Sequence, residues 1–193
     1  MDTLHTIEQE VRVCTLCRLA LYRSNAVAGE GFSYATLMLI GEAPGANEDA
    51  LGRPFVGLAG KVLDQALIYA GLRRDSIFIT NVVKCRPPNN RKPRRDEIDV
   101  CMNYLRRQIK VVRPKILCLL GQTAHDAIVG GRFKDHRGKF VIKVIEDIKC
   151  ICFTTYHPAA AIYNSRLRSI LIQDIKNVAR LLTFVSSNYE HFY

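Results

Sequence analysis

Four short apolar runs, each closed by residues that break regular structure, restrict the architectures open to this chain. They occupy positions 36–41, 77–83, 115–120 and 150–155. Each is rich in aliphatic or β-branched residues and too short for a helix of ordinary length, so each reads as a strand buried on both faces. Between them the apolar residues change period. Val62, Leu63, Ala66, Leu67 and Ala70, and later Ile98, Cys101, Met102, Leu105 and Ile109, recur at helical steps. After the fourth run, Leu167, Leu171, Ile175, Val178, Leu182 and Val185 mark a long amphipathic helix that closes the core. Apolar strands alternating with helices predict a mostly parallel sheet covered on both faces, the doubly wound α/β class. Positions 141–146 add a short β-ribbon before the last strand.

Length and composition narrow this further. The 193 residues fit one domain, 1–193. With 48% hydrophobic and 24% charged residues the chain is neither collagenous, low-complexity nor disordered. None of its apolar stretches approaches the roughly 18 residues that a membrane span needs. Lysines and arginines outnumber acids 28 to 18, for a net charge of +10, which favours a polyanionic partner, nucleic acid ahead of an anionic membrane surface. The opening MDTLHTIEQEVRVC carries Asp2, Glu8 and Glu10 and no apolar segment, so it does not read as a signal peptide, and the expected location is cytoplasmic. Seven cysteines, an odd number, then argue for reduced thiols rather than a disulfide framework, some of them holding a metal.

In parallel sheets ligands bind beyond the carboxyl ends of the strands. The segments there are GEAPG at 41–45, NVVKCRPPNN at 81–90, GQTAH at 121–125 and TYHPAA at 155–160. Glu42, Asn81 and His157 therefore fall at the same end of three predicted strands, which is an active-site pattern. The glycine-rich stretch 41–60 matches neither G-x-x-x-x-G-K-[ST] nor G-x-G-x-x-G. Its Phe55 is either a core aromatic or a stacking surface for a planar ligand. The run KCRPPNNRKPRR at 84–95 holds six basic residues and no acid. It is either a solvated loop or an edge that contacts phosphates through Arg86, Arg91, Lys92, Arg94 and Arg95. Cys14 and Cys17 form a C-x2-C, and Cys85 and Cys101 a C-x15-C, with 67 residues between the pairs. Such a tetrad holds zinc or an iron–sulfur cluster and would tie the N-terminal segment to a strand-end loop. Alternatively, Cys85 and Cys101 are small buried hydrophobes like Cys118, Cys150 and Cys152.

Taken in order, GEAPG, GRPFVG, ITNVVKCRPPNNR, TYHPAA and the four spaced cysteines resemble the family 4 uracil-DNA glycosylases of archaea and thermophilic bacteria, from Cys14 to Leu182. The resemblance implies a three-layer αβα fold around a four-stranded parallel sheet and a structural [4Fe-4S] cluster on Cys14, Cys17, Cys85 and Cys101. It implies a monomeric, monofunctional enzyme that excises uracil from single- or double-stranded DNA and leaves an abasic site. Two related groups fit less well. The covalent uracil-DNA binder carries GEQPG and a loop ending in a nucleophilic histidine, which 91–95 lacks; family 5 motifs lack an acid where Glu42 stands.

By the same resemblance the uracil site comprises Gly41, Glu42, Ala43, Glu48, Phe55, Asn81 and His157. Phe55 stacks on the base, the Asn81 amide reads O4 and N3–H, and Glu48 lies near the C5 edge. His157 donates to O2 of the leaving uracil, while Glu42, or the backbone at 41–43, orients water. Arg86, Arg91, Pro158, Ala159 and Ala160 contact DNA. Two other classes share some of these features: a non-catalytic, metal-stabilised nucleic-acid-binding module, and a nucleotide-binding enzyme.

Overall fold

The structure, a computed structural model, describes residues 2–187; the two ends of the expected 1–193 domain lie outside them. Six strands run in chain order as β1 (Glu30–Gly31), β2 (Leu37–Gly41), β3 (Phe78–Asn81), β4 (Ile116–Leu120), β5 (Phe140–Ile145) and β6 (Ile148–Thr155). Seven helices accompany them: α1 (Leu4–Val13), α2 (Ala46–Leu51), α3 (Leu58–Tyr69), α4 (Arg95–Val112), α5 (Gln122–Ile128), α6 (Phe133–His136) and α7 (Ser165–Ser187). The sheet order is β1-β3-β2-β4-β6-β5, with β3, β2, β4 and β6 mutually parallel. Those four are the predicted apolar runs.

The expected central four-stranded parallel sheet is present, and an antiparallel strand extends it at each edge. β1 has only two residues, too few to leave a pattern. β5 alternates exposed with half-buried residues instead of reading as a continuous apolar run. It is the ribbon expected at 141–146, joined to β6 through Glu146 and Asp147, both at positive φ (48° and 65°), as a two-residue hairpin requires.

Alternation along the strands sorts the core into two layers. On one face Met38, Ile40, Phe78, Leu117 and Leu119 pack against Ile7 and Val11 of α1, Leu105 and Ile109 of α4 and Ala124 of α5. On the other, Leu37, Leu39, Ile79, Ile116 and Cys118 meet Leu63 and Leu67 of α3 and Leu171, Ile175 and Val178 of α7. This is the three-layer αβα arrangement. Truncating a fully buried side chain such as Leu63 or Ile109 to alanine costs about 2–5 kcal/mol.

β3 stops two residues short of the predicted run. Val82 and Val83 leave the ladder but donate to the carbonyls of Gly41 (2.9 Å) and Glu42 (3.1 Å), so the two strand ends stay side by side as they emerge from the sheet.

Candidate active site

The register pairs Gly41 with Asn81, and this pairing sets the floor of a cavity of about 240 Å³ at the carboxyl ends of the strands. Asn81 is 2% exposed, and its Oδ1 has no hydrogen-bond partner among the described residues. An unpartnered buried acceptor is costly, so it marks a place where something else binds. A Cβ at Gly41 would lie 2.3 Å from that oxygen and 2.5 Å from Phe55 Cζ. Only glycine leaves the amide and the ring together.

Phe55 is buried at 5% rather than exposed, and its backbone has φ +51°, an uncommon conformation for a bulky residue that carries strain. Glu48 holds it there. One carboxylate oxygen accepts from the amides of Val56 and Gly57, both at 2.8 Å, and the other from Gly45 at 3.1 Å. Gly60 completes the clamp, since a Cβ on it would meet the Phe55 carbonyl at 2.0 Å. The stretch 41–60 is thus more than a turn: α2 lies inside it, and Glu48 of that helix ties both ends of the loop. Glu48 lines the cavity with its carboxylate already engaged.

His157 lies two residues past the end of β6 and caps the 3₁₀ turn Pro158–Ala161, its Nδ1 accepting from Ala159 N at 3.2 Å. That bond puts the ring proton on Nε2. Burial pulls the imidazole down to about 4, partly countered by the Glu48 charge, so it is neutral near pH 7. Its ring centroid lies 5.8 Å from that of Phe55. Gly121 (φ +94°) lets β4 pass close beneath, since a Cβ there would come within 2.9 Å of His157 Cβ. Glu42 lines the same cavity and accepts a short hydrogen bond from the Thr123 hydroxyl at the start of α5. The cavity therefore brings together Glu42, Ala43, Glu48, Phe55, Asn81 and His157, with Gly41 beneath. Thr123, Pro87, Asn90 and Ala59 were not singled out from sequence. Thr123 lies in GQTAH, one of the four strand-end segments, and that was the available signal.

The basic run divides. Lys84 is 1% exposed and points inward, so it does not belong to a phosphate-contacting edge. Arg91 forms a two-pronged pair with buried Glu97 (2.8 and 2.6 Å) and lines the cavity mouth. Arg95 pairs with Asp99. Arg86 donates to the Asn90 side chain at 2.8 Å. Ala159 and Ala160 are exposed, while Pro158 is buried.

Cys14 ends α1, Cys17 starts the 3₁₀ turn Arg18–Leu21, Cys85 follows β3 and Cys101 lies on α4; all four are free thiols lining one small enclosed pocket. Two N–H groups already point at sulfur: Arg23 Nη1 at Cys85 (3.0 Å) and Lys84 N at Cys101 (3.2 Å). Such donors favour thiolates. Among the described residues no three His, Cys, Asp or Glu side chains converge as a single ion requires. All four line the same small pocket, and four cysteine thiolates are the donor set that an iron–sulfur cluster takes. Cys118, Cys150 and Cys152 lie within strands, fully or almost fully buried.

Comparison with known proteins agrees with this geometry. The model of the uracil DNA glycosylase superfamily matches residues 29–179. A type-4 uracil-DNA glycosylase of Sulfurisphaera tokodaii is 50% identical over 188 residues, covering 94% of this chain and 86% of its own length. One of Saccharolobus solfataricus is 46% identical over 203 residues, covering 100% and 92%. A type-5 uracil-DNA glycosylase of Pyrobaculum aerophilum reaches 33% over 147 residues, 60% of this chain and 65% of its own length. The type-4 proteins extend across the N-terminal cysteine pair, which lies ahead of the superfamily match, and on this evidence the chain belongs to the type-4 branch of the uracil-DNA glycosylase superfamily.

Proposed function

We propose that the chain extrudes uracil from DNA and hydrolyses its N-glycosidic bond, leaving an abasic site in an uncut strand. The observation that carries this reading is the buried, unpartnered Asn81 oxygen in a cavity with room for a nucleobase, shared with Phe55 and His157. Uracil offers N3–H to that oxygen and O4 to the amide N–H. Cytosine presents the reverse pattern and would leave both groups unpaired. Phe55 supplies a face for stacking. Glu48, locked by three backbone amides, forms a rigid wall that would exclude a methyl group at C5.

As the C1′–N1 bond breaks, its electron pair moves onto the base and positive character develops on the sugar. The neutral His157 imidazole donates its Nε2–H to uracil O2 as that charge develops, and being neutral it has no charge-pairing requirement in the ground state. Glu42, oriented by Thr123, positions water for the sugar carbon, and the proton that water loses passes to the carboxylate or to solvent. Cys14, Cys17, Cys85 and Cys101 would hold a [4Fe-4S] cluster whose contribution is architectural, fastening the N-terminal segment against α4 and the loop after β3. No described helix is long and apolar enough to cross a membrane; the proposed enzyme is a cytoplasmic monomer acting on single- or double-stranded uracil-containing DNA.

Incubation with a uracil-containing oligonucleotide followed by alkali tests the activity: cleavage at the uracil position only after alkali is expected, and an intact strand would refute it. Anaerobic purification tests the centre. Brown protein with about four iron and four sulfide per chain is expected from a four-thiolate cluster, and a colourless zinc protein would refute the cluster.

A further inference from the structure

Asp174 is a buried carboxylate that the proposed chemistry does not use. It stands on α7 beside Leu171, Ile175 and Val178, which build the apolar layer over the sheet, and it is 6% exposed. Burying a charge in such a layer is costly, and an apolar residue of similar volume often completes it equally well. The contacts of Asp174 show what the charge holds. Oδ2 accepts from the Thr155 hydroxyl at 2.6 Å and lies 3.6 Å from the Arg137 guanidinium.

Both partners lead to His157. Thr155 is the last residue of β6, and its carbonyl accepts at 2.9 Å from the amide of Gly121, the residue that packs beneath His157. The Arg137 guanidinium lies over the Tyr156 ring at 5.2 Å from its centroid. The Arg137 backbone bridges Thr154, whose carbonyl accepts from Gly138 N at 2.7 Å. Thr154, Thr155 and Tyr156 are thus each gripped just ahead of the imidazole. The Nδ1 bond to Ala159 is made inside the turn, so it fixes the ring to the turn and not the turn to the sheet. A donor to a developing anion must stand about 2.7–3.1 Å from it, so placement of the turn decides what the imidazole can do.

We propose that Asp174 is a positioning residue for His157: paired with Arg137, it holds Thr155 and Tyr156 so that the imidazole Nε2–H reaches uracil O2. This rests on the glycosylase reading. Asp174 does not line the cavity, so its effect on the reaction passes through His157.

The test is a double-mutant cycle on single-turnover excision by holoenzyme at saturating uracil-containing DNA, with a melting temperature for every variant. Asp174→Asn keeps the shape and removes the charge. It is expected to lower the rate about five- to tenfold and to change the half-saturating DNA concentration by less than about twofold, because the loss falls on the chemical step. In a His157→Ala background the same substitution should cost under about twofold, since no imidazole is left to misplace. Thr155→Val removes the hydroxyl and leaves α7 untouched, so it gives the same cycle whether or not Asp174→Asn folds; Thr155→Ser should recover most of its loss. Equal losses with and without His157 would show a plain structural pair and overturn the proposal, as would wild-type rates in the folded variants. Wild-type protein that releases no uracil overturns the functional reading instead.

Discussion

Thr80 and Asn81 are consecutive on β3 and face opposite sides of the sheet, and the polar groups around them are treated in opposite ways. On the Thr80 side every group is matched. The Lys84 ammonium donates to Thr80 Oγ1 (2.6 Å), Asn81 O (2.7 Å) and Gln108 Oε1 (2.7 Å), while the Thr80 hydroxyl and the Gln108 amide both donate to the Ala28 carbonyl (2.8 and 2.7 Å). On the Asn81 side an equally buried oxygen has no partner among the described residues. A satisfied buried network holds a fold together, whereas an unsatisfied group costs about 1–3 kcal/mol until a ligand completes it. The difference separates the residues that support the site from those that act in it, and it implies that substitutions on the two sides will fail differently.

The largest effect is expected at Asn81. Asn81→Asp replaces the amide donor with an acceptor facing uracil O4, and single-turnover excision should fall about 10³-fold. The melting temperature should move by no more than about 3 °C, because no native hydrogen bond of the Oδ1 atom is lost. Retained activity with a collapsed melting temperature would place Asn81 among the supporting residues and erase the distinction.

His157→Ala should follow, with a loss of roughly 10²-fold from removing one donor to the developing anion. The same side chain makes a prediction about pH. Its folded value of about 4 lies below the ordinary 6.5, so the stability it contributes is complete above 6.5 and is lost as pH falls from there toward 4. Protonation at Nδ1 would also turn the acceptor of the Ala159 amide into a donor. Excision should therefore stay level through pH 6.5 and fall only on approach to 4. An NMR titration of His157 with a midpoint near 6.5 would show the ring to be solvated.

Lys84→Met cuts into the satisfied network and should show the reverse pattern. Losing one buried cation that serves three acceptors is expected to cost about 3 kcal/mol, or roughly 6–12 °C in melting temperature. The rate of the folded fraction should change by less than about tenfold. Thermal melts paired with single-turnover rates separate the two sides of β3.

Much of this was legible before any coordinates. Asn81, Glu42 and His157 could be found because parallel strands bring their carboxyl ends together, so distant motifs meet at one edge. Spacing alone left Cys85 and Cys101 readable as core residues; the family resemblance singled out the tetrad, whose four members line one pocket. Lys84 could not, since it stands in a run of six cations whose composition says solvent, and only the path of the chain beneath α4 turns it inward. The pairing of Arg91 was hidden for a related reason: its acid partner, Glu97, lies just beyond the basic run. The positive φ of Phe55 left no trace either, because it comes from Glu48 capturing two amides rather than from a local turn signal. β5 was legible as a ribbon at 141–146 but not as a buried strand, because its outward residues Phe140, Ile142 and Val144 are exposed. Pattern reading thus recovers what periodicity and strand order dictate and misses what one long-range hydrogen bond decides.

Thr123 tests the boundary between the two kinds of residue, and the smallest effect is expected there. Its hydroxyl donates to Glu42 from α5 without reaching the base, so it belongs by position to the supporting side and by contact to the acting side. Thr123→Val keeps the shape and removes the donor. If Glu42 positions the attacking water, freeing its carboxylate should lower the single-turnover rate about three- to tenfold, with substrate affinity and melting temperature nearly unchanged. Thr123→Ser restores the hydroxyl and should recover most of the loss. If instead the backbone amides at 41–43 orient the water, Thr123→Val should match the wild-type rate, and Glu42 would join Glu48 as a wall.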